Sequence, residues 1–232
     1  MTITTVGFDA DDTLWHNETI FRLTQDRFAE LLADRADPED LKARLAATEK
    51  RNLRLYGYGV KGFTLSLIET AMELCEGEAP SHVIREILAA GREMLAHPVE
   101  TLPGVDEALA ATAEKYRIIL VTKGDLFDQE RKVAASGLGE LFAAIEIVSE
   151  KDRACYARVF ARHGTGPAQA AMVGNAMRSD ILPALEAGSF AAYVPYPLVW
   201  DHEAEAAPQD HPRYRELASI AEVPAWLEEV GG

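Results

Sequence analysis

Four polar clusters each stand directly behind a short apolar run. "VGFDADDTL" carries Asp9, Asp11 and Asp12 within four positions, Thr122 closes "RIILVT", Lys151 follows "AIEIVSE", and Asn175 and Asp180 follow "AAMVG". Together these residue types make a chemical set. One carboxylate can attack phosphorus, and a second two residues away can act as general acid and then base. A hydroxyl and an ammonium can hold phosphate oxygens, and carboxylate oxygens can hold a hard divalent cation. The three crowded acids then have separate jobs, with Asp12 read as a turn or cap residue, the usual role of an acid behind a buried strand.

Groups so far apart in sequence meet only if the fold brings strand ends together. "ITTVGF", residues 3–8, reads as a buried strand ending at the acids. From Trp15 to His97 the pattern turns helical: Ile20, Leu23, Phe28, Leu31 and Leu32 recur at three- and four-residue spacings. In "DPEDL", Asp37 is a candidate N-cap with Pro38 at the first helical position, and in "PSHVIREIL" Ser81 is another. "YGYGVKG" interrupts this block as a glycine-rich turn. A helix starts near Gly104, after which strands and helices alternate: "RIILV", a helix from Asp125, "AIEIV", a helix from Asp152, "AAMVG", a helix from Ser179, and "SFAAYV". That order predicts an α/β fold with a doubly wound parallel sheet, residues 1–14 and 98–232, carrying an inserted all-helical unit at 15–97. In such sheets ligands bind at the carboxyl ends of the strands, where every polar cluster here falls. The tail "DHEAEAAPQDHPRYR" reads as a surface loop before a last helix.

The length of 232 residues suits one elaborated domain or a domain with a sizeable insertion. A formal charge of −15 repels polyanions, which argues against nucleic acid as partner but leaves room for a small anion held by local cations. No apolar window approaches the roughly 20 residues of a membrane span. The opening "MTITTVGFD" has no basic stretch leading into a long apolar run, and Cys75 and Cys155 stand alone, so a reduced cytoplasmic protein without disulfides is expected.

On these motifs the chain resembles the haloacid dehalogenase superfamily, specifically its aspartate-nucleophile phosphatases, over nearly its whole length. "FDADDTL" is similar to that family's first motif, DxDxT; "LVTKG" to the second, with its Thr or Ser; "EKD" to the third, with its Lys; and "GNAMRSD" to the fourth, usually GD followed by a second Asp. The resemblance implies Asp9 as a nucleophile forming an aspartyl-phosphate, Asp11 as general acid and base, Thr122 and Lys151 as phosphate ligands, and Mg²⁺ as cofactor. It also implies that the helical block is a cap over the active site, and that the partner is a small phosphorylated metabolite. The metal residues would be Asp9, Asp11, Asn175 and Asp180. Asn175 stands where the family usually has Asp, which removes one charge from the metal shell; whether Asn175 or Asp180 touches the metal directly stays open. "TKG" replaces the commoner Thr-Asn-Gly, placing Lys123 and Gly124 beside the phosphate pocket.

Around this set, Trp15, His16 and Asn17 follow the first motif and are candidates for the pocket mouth, with packing the competing role for Trp15. Arg51, Arg54, Tyr56, Tyr58 and Lys61 cluster around glycines and read as a solvated helix end. Of the competing activities, a dehalogenase of the same superfamily needs no metal and lacks an acid at the position of Asp11. A phosphomutase shares every motif and differs in shielding its intermediate from water. A phospho-aspartate signalling module has its phosphorylated Asp behind a later strand and no large helical insertion. Substrate and oligomeric state are not legible in the sequence.

Overall fold

The computed structural model describes residues 2–231. Six strands form one parallel sheet: β1 (Thr5–Phe8), β2 (Arg117–Lys123), β3 (Ala144–Val148), β4 (Ala170–Gly174), β5 (Phe190–Tyr193) and β6 (Tyr214–Glu216), in the order β3-β2-β1-β4-β5-β6. This is the doubly wound α/β architecture. The central strands are mostly apolar because helices cover both faces, which is why they read as continuous runs rather than alternations. Alternate residues nonetheless separate two cores. Val6, Phe8, Ile118, Leu120, Ala171 and Val173 face one side with α5 (Val105–Ala113) and α9 (Val223–Gly231). Ile119, Val121, Ala170 and Met172 face the other with α7 (Arg153–His163) and α8 (Leu182–Ala187).

The chain divides into two compact units. The sheet unit holds the residues up to Glu18, Val99–Lys123 and everything from Gln129 onward; the other holds Thr19–Pro98 with Gly124–Asp128. The second unit is built from α1 (Glu18–Leu31), α2 (Pro38–Tyr56), α3 (Val60–Leu74) and α4 (Ser81–Ala96). These helices enclose their own apolar core, including Phe28, Leu32, Leu41, Leu45, Phe63, Leu67, Ile87 and Met94. Asp37 caps α2 as its type and position predict, accepting from the Glu39 and Asp40 amides. Within this unit Lys61 pairs with Asp125 (2.9 Å), and Arg51 pairs with Glu73 (2.8 Å).

Three local readings are corrected. Ser81 is the first helical residue of α4 rather than its cap; the cap position is Pro80, with no side-chain bond. The fourth cluster does not open a helix at Ser179. A π-helical turn spans Met177–Ile181 and α8 follows it, because the chain must swing Asp180 back toward the end of β4. The tail is not all loop: Tyr214–Glu216 pairs with β5 as a sixth strand, too short and too polar for its periodicity to stand out. Among the described residues no helix is long and apolar enough to cross a membrane.

Candidate active site

Strand register assembles the polar clusters. Phe8 lies level with Leu120 on one side and Val173 on the other, so Asp9 emerges between the chain leading to Thr122 and the chain leading to Asn175. The order of strands reverses beside β1, and that is where a doubly wound sheet opens its ligand crevice.

Asp9, Lys151 and Asp180 form a buried trio. The Lys151 ammonium lies 2.5 Å from Asp9 Oδ1 and 2.7 Å from Asp180 Oδ1. The second oxygen of Asp180 accepts from the Ala176 amide at 2.9 Å. Close packing fixes this arrangement: a Cβ on Gly174 would come 2.3 Å from Asp180 Oδ2, so only glycine leaves room for the carboxylate. Two carboxylates share one ammonium, so the trio carries an excess negative charge. Burial first, and then Asp180, push the Asp9 carboxyl up to about 7 despite Lys151. For Lys151, burial works to lower the pKa, but Asp180 and Asp9 outweigh it and keep the group cationic.

Asp9 Oδ2 accepts the Thr13 hydroxyl proton at 2.9 Å. A hydroxyl has one proton to give, so Asn175 must offer Thr13 its amide nitrogen. In that orientation the nitrogen reaches Thr13 Oγ1 (3.0 Å), Asp9 Oδ2 (3.2 Å) and the Asp11 carbonyl oxygen (3.1 Å). Beside Thr13 Oγ1, the end of Asn175 therefore faces the oxygens of Asp9 and Asp11, and rotation of the amide would bring its own oxygen to them. The donor set that could hold a divalent cation is thus Asp9 Oδ2, the Asp11 carbonyl and Asn175 Oδ1, all hard oxygens suited to Mg²⁺, which completes its shell with water and substrate phosphate. The surplus negative charge of the trio favours such a cation. Of these three donors Asp9 alone carries a formal charge, so the site would hold the ion through few protein charges.

The Asp11 side chain is tethered separately. Oδ1 accepts from Trp15 Nε1 (2.7 Å) and Lys132 Nζ (2.9 Å), and Oδ2 accepts from Gln129 Nε2 (3.2 Å). Gln129 Nε2 also reaches Thr122 Oγ1 at 2.7 Å, so one nitrogen links Asp11 to Thr122. Both donors sit on α6 (Leu126–Ser136), three positions apart and hence on one face. Thr13, Gln129 and Lys132 were not singled out by sequence reasoning. Thr13 is the closing Thr of the first motif, in the loop after β1; the signal for Gln129 and Lys132 is polar spacing on an expected helix, and nothing in the sequence says which face turns inward. Trp15 is buried in the core of the sheet unit and meets Asp11 through its indole N–H.

The remaining candidates lie as follows. Lys123 is neither solvated nor unattached: its ammonium meets Glu203 Oε1 and Ser179 Oγ, each at 2.5 Å. Burial raises the Glu203 carboxyl, but Lys123 more than offsets this and holds it below its usual value. Gly124 adopts φ 149°, a conformation that favours glycine. His16 Nδ1 pairs with the Tyr196 hydroxyl at 2.7 Å.

Asp12 caps α1. It takes φ 62°, and its carboxylate accepts from the Asn17 and Glu18 amides at 2.8 and 3.0 Å. Burial dominates its titration and pushes it up to about 7. Since the folded value lies above the unfolded one, ionisation costs stability as pH rises from about 4 to 7, and that cost persists above. Asp12→Asn keeps an acceptor and tolerates the left-handed backbone, so its melting temperature at pH 8 should equal or exceed wild type. Asp12→Ala loses the cap and strains the turn, for a loss of roughly 1–3 kcal/mol. Thermal melts of the two variants decide it: a lower midpoint for Asn than for Ala would contradict the cap assignment.

The comparisons agree on the family. Residues 3–188 match the model of the haloacid dehalogenase-like hydrolases. A haloacid dehalogenase-like family hydrolase from Xanthomonas campestris is 43% identical, with a TM-score of 0.88 over 99% of this chain and 92% of its own. The HAD-hydrolase YfnB from Bacillus subtilis, bound to magnesium, is 17% identical with a TM-score of 0.66, covering 98% of this chain and 99% of its own. A 2-haloacid dehalogenase from Pseudomonas syringae is 21% identical with a TM-score of 0.61, covering 99% and 100%. The last two share the fold alone. No curated protein matches.

Proposed function

Starting from the fact that the chain belongs to the haloacid dehalogenase-like hydrolases, we propose that it is a Mg²⁺-dependent phosphatase. Its substrate would be a small phosphate monoester, hydrolysed in two steps through a phospho-Asp9 intermediate. The observation that carries this reading is Asp11: a second carboxylate two residues from Asp9, held on the Thr122 side by Gln129. Displacing halide needs no such acid, whereas expelling an alkoxide does.

In this reading a carboxylate oxygen of Asp9 attacks phosphorus, and the leaving oxygen takes its proton from Asp11. Asp11 then accepts a proton from water as the water attacks the aspartyl-phosphate, which returns Asp9 and releases phosphate. Thr122 accepts a bond from Gln129, so its own hydroxyl proton is available to a phosphate oxygen. The Lys151 ammonium spends two N–H bonds on Asp9 and Asp180, leaving the third for the same group. Mg²⁺, when bound, supplies charge neutralisation between the nucleophile and the phosphate. Asn175, beside Asp9 and the Asp11 carbonyl, is the direct ligand in this proposal; Asp180, with both oxygens engaged, stands behind it.

Asn175 is also the feature that favours the second reading, a metal-independent haloacid dehalogenase, because an amide gives a cation less than a carboxylate does. One experiment separates them. Phosphate release from a panel of monoesters with and without Mg²⁺ is measured beside halide release from 2-chloropropionate. Metal-dependent phosphate release alone is expected, with Asn175→Asp lowering the Mg²⁺ concentration for half-maximal rate. Halide release without metal would replace the phosphatase reading.

A further inference from the structure

We propose that Lys132 is a positioning residue for the proposed reaction, fixing the Asp11 carboxyl group beside the departing oxygen, to which it gives a proton in its acid form; this rests on the phosphatase reading above. The Lys132 ammonium bonds both oxygens of Asp11, at 2.9 and 3.1 Å, and also Asn17 Oδ1 at 2.7 Å. It is well packed, its side chain only 12% exposed, against 24% for Asp11. A lysine so enclosed loses much of its rotamer freedom, and an exposed lysine would gain little from a carboxylate. Here three acceptors from two segments fix one ammonium.

The direction of the tether matters as much as its strength. Gln129 and Lys132 project from the same face of α6 onto Asp11, and Gln129 also touches Thr122, the residue proposed to hold phosphate. Asp11 is therefore held on the phosphate side by two side chains of one rigid helix. Gln129 is itself 2% exposed, and its Oε1 has no partner among the described residues. Its place is set by the bonds its nitrogen makes, to Asp11, Thr122 and the Lys123 carbonyl. With Trp15 donating from the first motif's own loop, the carboxylate is held from two sides, and Lys132 is the contact that spans both oxygens.

A residue that acts by aiming a general acid has a signature that a merely structural residue lacks. Its loss hurts substrates whose leaving oxygen needs a proton and spares those whose leaving group departs as a stable anion. The measurement is kcat/KM for ethyl phosphate and for 2,4-dinitrophenyl phosphate, which reports the step in which the leaving group departs. Lys132→Met should lower the value for ethyl phosphate roughly 30-fold or more, and that for 2,4-dinitrophenyl phosphate less than about threefold. Lys132→Arg should restore most of the loss. In an Asp11→Asn background, adding Lys132→Met should cost less than about threefold further, because both changes remove the same contribution. An equal fall for both substrates, no fall, or a full additive loss in the Asp11→Asn background would overturn the inference while leaving the phosphatase reading in place. A wild-type protein that hydrolyses neither these esters nor others would instead remove the reading on which it rests.

Discussion

Asp9→Asn is expected to abolish the proposed phosphate release, lowering kcat/KM by roughly 10⁴-fold or more, and to leave the fold intact. The size follows from the role: an amide is a very poor nucleophile toward phosphorus, and removing a covalent nucleophile leaves only what binding and charge stabilisation contribute. The intact fold follows from the surroundings. Asn has the shape of Asp, its amide oxygen can take the Lys151 ammonium while its nitrogen donates to the Thr13 hydroxyl oxygen, and Lys151 keeps its contact with Asp180. The variant also removes the excess charge of the buried trio. Since burial and Asp180 raise Asp9 in the folded protein to about 7, its ionisation costs stability as pH climbs from about 4 toward 7 and beyond. In metal-free buffer at pH 8, Asp9→Asn should therefore melt no lower than wild type, and the difference should vanish below pH 4. Phosphate assays beside thermal melts give both readouts. Activity within tenfold of wild type would take the nucleophile role from Asp9.

Where each residue sits on its element decides whether the sequence could show it. Asp9, Thr122, Lys151 and Asn175 each follow an apolar run, and a parallel sheet brings the ends of such runs together whatever the intervening lengths. Strand identity and order of clusters therefore sufficed to place them near one another. Gln129, Lys132 and Glu203 could not be read in this way. They lie on a helix face and in a surface connection, where a polar residue is the default and only the rotation of the element decides whether it meets water or a carboxylate. Lys123 shows the limit from the other side: its position beside the second motif was evident, but the carboxylate that holds it comes from 80 residues later. Asp180 was legible as an acid, but which of Asn175 and Asp180 stands behind the other was not, because the turn that aims Asp180 at Lys151 is π-helical and departs from the helix the sequence suggested. The sixth strand escaped for a related reason. Three residues of mixed polarity carry no periodicity, and its pairing is imposed by the neighbouring strand.

Lys151→Met is expected to destabilise the protein by roughly 3–5 kcal/mol at neutral pH and to lower phosphatase activity at least 10³-fold. Lys151 is 3% exposed, and its ammonium is the counter-ion to two carboxylates, Asp9 and the fully buried Asp180. Methionine matches the lysine stem but leaves both buried carboxylates without their counter-ion, and an uncompensated buried charge costs more than the pair contributed. The sign of the pH dependence distinguishes this from a simple packing defect. Without Lys151 the Asp9 carboxyl, already raised by burial and by Asp180, titrates higher still, so the variant loses stability as pH rises from about 4 through that raised value. In wild type the pair persists through neutrality, because Lys151 itself is raised and gives up its contribution only above its unfolded value, in the alkaline range. The gap in melting temperature between wild type and Lys151→Met should then be larger at pH 8 than at pH 5. Removing one of the stranded charges supplies the internal control: Lys151→Met with Asp180→Asn should regain a substantial part of the lost stability, while activity stays low for want of the phosphate ligand. A gap that is equal at the two pH values, or a double variant less stable than the single one, would mean that the trio is not held by its charges.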